Sequence, residues 1–203
     1  MPARHERPPT LRRRRRGRRA KKPTVSFSAL CINNAAFQSE TPGRTAFLRN
    51  VCVSDLAAGR LRPKVDQIVV EKGDRRLSLW YAGFSVREFR VALGHSPVGH
   101  KRGRGDGRTP EGRYSIDGRN PKSRFRRSLH ISYPSRADEI EASRAGVSTG
   151  GAIMIHGLPA SAGWIGKHHA GFDWTQGCIA VTNEEIDEIW ELVSDGTPIE
   201  IRP

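Results

Sequence analysis

The sequence predicts a mainly β domain, a sandwich or barrel-like sheet with one or two short helices, and three observations predict it. Short segments of β-branched and alternating apolar residues recur between residues 67 and 201, bounded by Gly, Asp and Asn. A short, wholly apolar run at 152–155 suits a strand inside a sheet. Apolar residues return at helical spacing at Ile186, Ile189, Trp190 and Val193.

The elements follow in order. Residues 67–71 read as a strand, 72–74 as a turn, and 77–80 as the return strand of a hairpin. After the turn Ala82-Gly83, residues 86–93 read as a third strand, with Val86, Phe89, Val91 and Leu93 apolar. Residues 94–113 form a long loop dense in Gly, Pro, Arg and Lys; loops beyond about 12–15 residues in a compact domain are usually functional or disordered. Strands follow at 113–117 and 129–133, separated by a basic, polar stretch. Residues 137–145 are charged and helix-prone. The run at 152–155 reads as a central strand that delivers His156 at its end. Residues 157–174 read as a loop carrying Trp164, His168, His169, Phe172 and Trp174. A strand at 179–181 precedes a helix, with Thr182 or Asn183 at its start and acids in its first turn. Asp195-Gly196 stops that helix, and 198–201 is the last strand.

Upstream of residue 65 the character changes. Residues 1–22 hold eleven Lys and Arg against Glu6 alone, a net +10 that leaves only +4 of the formal +14 for the rest. Such a run repels itself and buries nothing, so it reads as a disordered polybasic tail, or as residues ahead of the true start. Residues 23–64 read as a linker of low structure with a short helix near 48–58, and 65–203 as the folded domain. The best apolar core for an export signal, 25–32, is short and broken by serines, so no export signal is evident. No stretch has the length of a transmembrane segment. Cys31, Cys52 and Cys178 are too few for a secreted disulfide scaffold; Cys31 and Cys52 could pair, leaving Cys178 free.

The chemistry concentrates at His156-Gly157 and at Thr175-Gln176-Gly177-Cys178. A thiol attacks as thiolate and needs a base or a positive charge beside it. The two residues are too far apart for one helix, but two adjacent strands joined by a loop would bring them within reach. Gly177 lets backbone or substrate come close, and the N–H groups there could face an oxyanion.

These segments, with residues 94–101 and with Gly107-Arg108-Thr109-Pro110-Glu111-Gly112-Arg113-Tyr114, resemble the L,D-transpeptidase family, the YkuD-type catalytic domain. The resemblance runs from about Val65 to Pro203 and implies a YkuD-like β-sandwich. It implies Cys178 as nucleophile, His156 as its base, and the carbonyl of Gly157 as the group that orients His156. It also implies the substrate, a peptidoglycan stem peptide, and with it wall synthesis, cell shape and a periplasmic or wall-facing location. The expected reaction is two-step acyl transfer through a thioester, with backbone N–H groups at Gly177 and Cys178 holding the oxyanion. Two positions depart from the usual pattern: Gln176 stands where many members have a second histidine, and Ala180 where Arg or Asn is frequent.

Tyr133, Thr175 and Trp174 are the candidate substrate-binding residues. Tyr133, which could donate to an oxyanion or a substrate carbonyl, reads more readily as a sheet-packing tyrosine, and Trp174 and Trp164 read as walls of the site or as loop anchors. His156, His168, His169 and Cys178 match no familiar zinc spacing, so no metal and no cofactor is expected. The other histidines, and the arginines of 102–113 and 119–127, read as surface groups. Two alternatives stay open: a hydrolase on the same site (an L,D-carboxypeptidase, or an amidase releasing wall-linked protein), and a non-catalytic module binding wall or nucleic acid through its tail, nucleic acid not being an obligatory partner of the enzyme.

Overall fold

A computed structural model describes residues 64–203. The expected tail, nearly all of the expected linker with its helix, and Cys31 and Cys52 lie outside the described residues. The fold is mainly β, as the segment pattern predicts: among the described residues eight strands form one curled sheet with two short α-helices.

The strands are β1 (Gln67–Glu71), β2 (Arg76–Tyr81), β3 (Phe84–Arg90), β4 (Gly112–Asn120), β5 (Ser128–Ile131), β6 (Met154–His156), β7 (Ile179–Ala180) and β8 (Pro198–Arg202). Their order across the sheet is β3-β2-β1-β8-β4-β5-β6-β7. The first three form the expected antiparallel series, with Val69 opposite Ser78 and Leu77 opposite Phe89. The last strand then enters the middle of the sheet, parallel to β1 and antiparallel to β4. Ile68, Val69 and Val70 are all buried instead of alternating, so β1 is covered on both faces as well as paired on both edges.

The third strand ends at Arg90, earlier than the expected 93. The chain then leaves β2 and crosses to the opposite edge of the sheet. Val91 N–H still donates to the Arg75 carbonyl, but Ala92 exchanges both backbone bonds with Ala180 of β7, and Gly94 bridges Thr175. The two edges are thereby laced together, which gives the sheet its barrel-like curl and covers edges that would otherwise be exposed. Asp173 locks the crossing: its carboxylate takes the Leu93 N–H at 2.9 Å and pairs with Arg75 at 2.7 Å.

Helix α1 (Arg136–Arg144) starts at Ser135 and α2 (Asn183–Leu192) at Thr182, both through reciprocal capping boxes. In α2 the Thr182 hydroxyl accepts the Glu185 N–H at 3.2 Å, and the Glu185 carboxylate accepts the Thr182 N–H at 2.9 Å. Its buried stripe, Ile186, Ile189 and Leu192, joins the core formed by Leu79, Leu129, Ile155 and Ile179. The expected loop 157–174 is more ordered than a loop: Ala160–Gly171 is 3₁₀ turns, broken at Gly166 with φ +52°. It lacks the apolar stripe of an α-helix, so its sequence gave no periodic signal. Among the described residues no helix is long and apolar enough to cross a membrane.

Candidate active site

His156 and Cys178 come from neighbouring parallel strands. Ile155 pairs with Ile179 and His156 with Ala180. One step back along the register, Cys178 stands level with Met154. Side chains alternate along a strand, so Cys178 falls on the face of His156 while Ile155 and Ile179 turn into the core. Strands about 4.8 Å apart and two residues of about 3.3 Å put the two backbones roughly 8 Å apart, a diagonal that two side chains can span. The two side chains do not hydrogen-bond to each other; the thiol donates instead to the Ala152 carbonyl at 3.6 Å.

The His156 ring is buried and oriented. Its Nδ1 lies 2.7 Å from the Gly157 carbonyl, which can only accept, so Nδ1 carries the hydrogen and Nε2 is the basic nitrogen. Phe125 packs on the ring at 4.5 Å between centroids and Trp174 approaches it edge-on at 5.9 Å. Burial lowers the His156 pKa below the ordinary histidine value; the Gly157 carbonyl opposes this, while His169 and Arg124 add to it. Burial raises the Cys178 thiol above its ordinary value, against a backbone hydrogen bond at Met154 and the charge of Lys101. Both shifts run towards the uncharged forms, thiol and imidazole, rather than towards a thiolate–imidazolium pair.

Thr175 and Gly177 shape the cysteine turn. Thr175 is buried; its hydroxyl accepts the Gly177 N–H at 3.1 Å and donates to the Cys178 carbonyl at 2.7 Å. That hydroxyl is thus spent inside the turn and not offered to a ligand, and the Gly177 N–H, expected to face an oxyanion, is engaged. Gly177 has φ +125°, and a Cβ there would stand 2.6 Å from the Arg108 carbonyl oxygen. A Cβ on Gly94 would meet the Gly107 carbonyl oxygen at 2.1 Å and the Gly177 Cα at 3.0 Å. The upstream glycines and the Gly-Cys pair are thus parts of one packed contact. Gly157 is equally confined, since a Cβ would stand 2.6 Å from Asn183 Oδ1 and 2.9 Å from Ile186 Cγ2.

Tyr133 makes neither a hydrogen bond nor a ring contact with His156 or Cys178. It is buried, packs edge-on against Tyr114 at 6.0 Å, and its hydroxyl donates to the Thr149 carbonyl at 3.2 Å. Burial, with Asp138 and Asp106, pushes that hydroxyl up to about 12.

The long loop before β4 is pinned from inside. Lys72, buried, donates to the carbonyls of Gly99 (2.7 Å) and Thr109 (2.9 Å) and to Glu111 (2.8 Å). Lys101, also buried, holds Asp106 at 2.7 Å. Burial works to raise the Asp106 carboxyl, but Lys101 and the N–H groups of Arg108, Arg102 and Gly103 outweigh it and hold it at about 2. A folded pKa below the unfolded value of about 3.9 means that the stabilisation is complete above pH ~4 and is lost as pH falls towards ~2. Acid unfolding followed by tryptophan fluorescence should therefore run shallower between those limits in Asp106→Asn; superimposable acid curves would contradict this.

Three contributors were missed in the sequence. Phe125 sits in a basic stretch, and its only signal is that it is the lone apolar residue between two strands. Lys101 and Asp106 carry no signal at all, since buried charges look like surface charges in sequence. His169 is buried with Nδ1 unpartnered, whereas His168 is exposed. Among the described residues no three His, Cys, Asp or Glu side chains converge as a metal site.

The chain belongs to the YkuD family, the L,D-transpeptidase catalytic domain, whose family model matches residues 66–201. Its curated relatives include YafK of Escherichia coli (strain K12), provisionally designated an L,D-transpeptidase, to which it is 33% identical over 109 residues, 52% of this chain and 36% of that protein. The chain thus spans about a third of the length of the curated relatives it matches, 36%. Among solved structures, the helical cell shape determining protein Pgp2 from Campylobacter jejuni shares the fold, with TM-score 0.53, 21% identity, and coverage of 73% of this chain and 54% of that one.

Proposed function

We propose that residues 65–203 form a catalytic domain that performs cysteine-dependent acyl transfer on peptidoglycan stem peptides, in the periplasm or facing the wall. One observation carries the reading. Adjacent parallel strands put His156 and Cys178 on one face, and the Gly157 carbonyl leaves Nε2 of His156 as the base. Cys178 Sγ turns from the Ala152 carbonyl and gives its proton to Nε2 while attacking the carbonyl of a diamino acid in the stem. The Cys178 N–H supports the oxyanion, since the Gly177 N–H is already bonded to Thr175. The imidazolium then protonates the departing amine, leaving a thioester. A second amine attacks the thioester to give a cross-link, with His156 taking its proton; water in that role gives hydrolysis. Thr175 positions the cysteine turn, Trp174 and Phe125 hold the imidazole, and no cofactor enters.

The test is incubation of the full chain with a tetrapeptide stem donor and an amine acceptor, products resolved by mass. Cross-linked product from the wild type and none from Cys178→Ser is expected. Trimmed peptide alone would assign hydrolysis to the same site. Products unchanged by Cys178→Ser would refute the reading.

A further inference from the structure

Arg75, in the turn between β1 and β2, has φ +51°, a left-handed conformation that glycine takes more readily than any residue with a side chain. A residue held there calls for a compensating use of its side chain. Its contacts supply one. The guanidinium reaches a residue 98 positions away: Nη2 donates to Asp173 Oδ2 at 2.7 Å, and Nε lies 3.0 Å from Oδ2 and 3.1 Å from Oδ1. The arginine is itself fixed, since Nη1 donates to the Lys72 carbonyl and its own carbonyl accepts the Val91 N–H at 3.0 Å. Asp173 Oδ1 also accepts the Leu93 N–H at 2.9 Å, and the Leu93 carbonyl accepts the Thr175 N–H at 3.1 Å. Both backbone groups of Leu93 thus grip residues 173 and 175, with Trp174 held between them. The Trp174 ring stands edge-on to His156 at 5.9 Å and lies 6.4 Å from Phe125.

We infer that Arg75, acting through Asp173, is a positioning residue that sets Trp174 as a wall of the imidazole and so keeps water from the ring of His156. The Leu93 N–H alone would leave the Asp173 carboxylate free to swing about one bond. An arginine fork fixes the direction of its partner as well as its distance, and so removes that freedom. The other wall is Phe125, on the ring at 4.5 Å. Burial is the main influence on the basicity of His156, so its walls set that basicity. The charged and titratable groups around the ring are His169 from the 3₁₀ segment, Arg124 from the connection between β4 and β5, and Cys178 at the entry to β7. Arg75 and Asp173 hydrogen-bond to each other and to backbone, and to none of these groups. Their effect on His156 therefore passes through Trp174. The inference rests on His156 being the base and names what keeps that base dry.

The experiment is the pH titration of the His156 ring in the full chain, followed by NMR on protein isotope-labelled at its histidines, with the His156 signal identified by its loss in His156→Gln. Arg75→Gly removes the side chain and relaxes the backbone, since glycine takes this dihedral readily. It should raise the ring's midpoint by about one pH unit, towards the ordinary value of about 6.5. Trp174→Leu should do the same, and combining the two should add little to either. Asp173→Asn should raise the midpoint as well. That sign separates positioning from a direct field, because losing a nearby negative charge would by itself lower a histidine's pKa. An unmoved midpoint in folded Arg75→Gly, as a merely structural role predicts, would overturn the inference. If Arg75→Gly does not fold, an Asp173→Asn midpoint that stays or falls overturns it. These outcomes concern the wall alone. An acid limb of acyl transfer that does not follow the ring's midpoint across the variants would remove His156 as the base instead.

Discussion

Replacing His156 by Gln is expected to slow acyl transfer by roughly 10²–10⁴-fold, the usual contribution of a positioned general base. The loss should be large here because the cysteine cannot compensate. Burial holds the Cys178 thiol above its ordinary pKa, so without Nε2 little thiolate is present at neutral pH. Wild-type activity should also fall at low pH as His156 gains a proton. Because its folded pKa is depressed, that limb lies below the ordinary histidine value of about 6.5, and it should vanish in His156→Gln. The same sign applies to stability: the neutral buried ring favours the fold above pH ~6.5 and costs stability as pH drops through its lowered value. Rates of thioester formation between pH 4 and 8, measured for both proteins, check this. A variant with unchanged rate, or a wild type whose acid limb sits above the ordinary histidine value, would contradict it.

Gly177→Ala is the second substitution with a large expected effect, and it acts through backbone rather than chemistry. The added Cβ would stand 2.6 Å from the Arg108 carbonyl oxygen and 3.1 Å from Ile153 Cδ1, at φ +125°. The carbonyl is main chain and cannot rotate aside as a side chain would. Overpacking and the unfavourable dihedral each cost about 1–3 kcal/mol. Thermal melting should fall by ~5 °C or more. Relief can come only by pushing the loop off the cysteine turn, and a shift of about 1 Å there should lower acyl transfer by about 10²-fold. Gly83→Ala is the matched control: its φ is +83°, but nothing lies within 4 Å of its Cβ. It should cost stability modestly and leave activity alone. Equal effects of the two substitutions would show that the packing at Gly177 does not position the cysteine.

The difference between these glycines marks what the sequence makes legible. Local rules sufficed for β1, β2 and their turn, for the start of α2 at Thr182, and for the cysteine and histidine at strand ends, because each rests on neighbours in the chain. Long-range pairing did not show. Residues 198–201 look like any short strand, and nothing local says that they enter the sheet beside β1. Val91, Ala92 and Leu93 continue the apolar pattern of β3, yet their partners are Arg75, Ala180 and Asp173. Asp173 itself reads as a loop acid until Arg75 and the Leu93 N–H are seen around it. The loop 94–113 reads as basic and solvated because a lysine's burial depends on its carboxylate partner and on the carbonyls around it, as for Lys101. The segment resemblance pointed to His156 and Cys178 as the candidate site; only the packing explains why segments so far apart in the chain belong together.

The central claim is that Cys178 is an activated nucleophile on a built site. Its most direct measurement is the intact mass of the full chain after incubation with a carbapenem, beside Cys178→Ser. A single covalent adduct on the wild type, absent from Cys178→Ser, is the predicted result. No adduct on a folded wild type, or the same adduct on Cys178→Ser, would contradict the account.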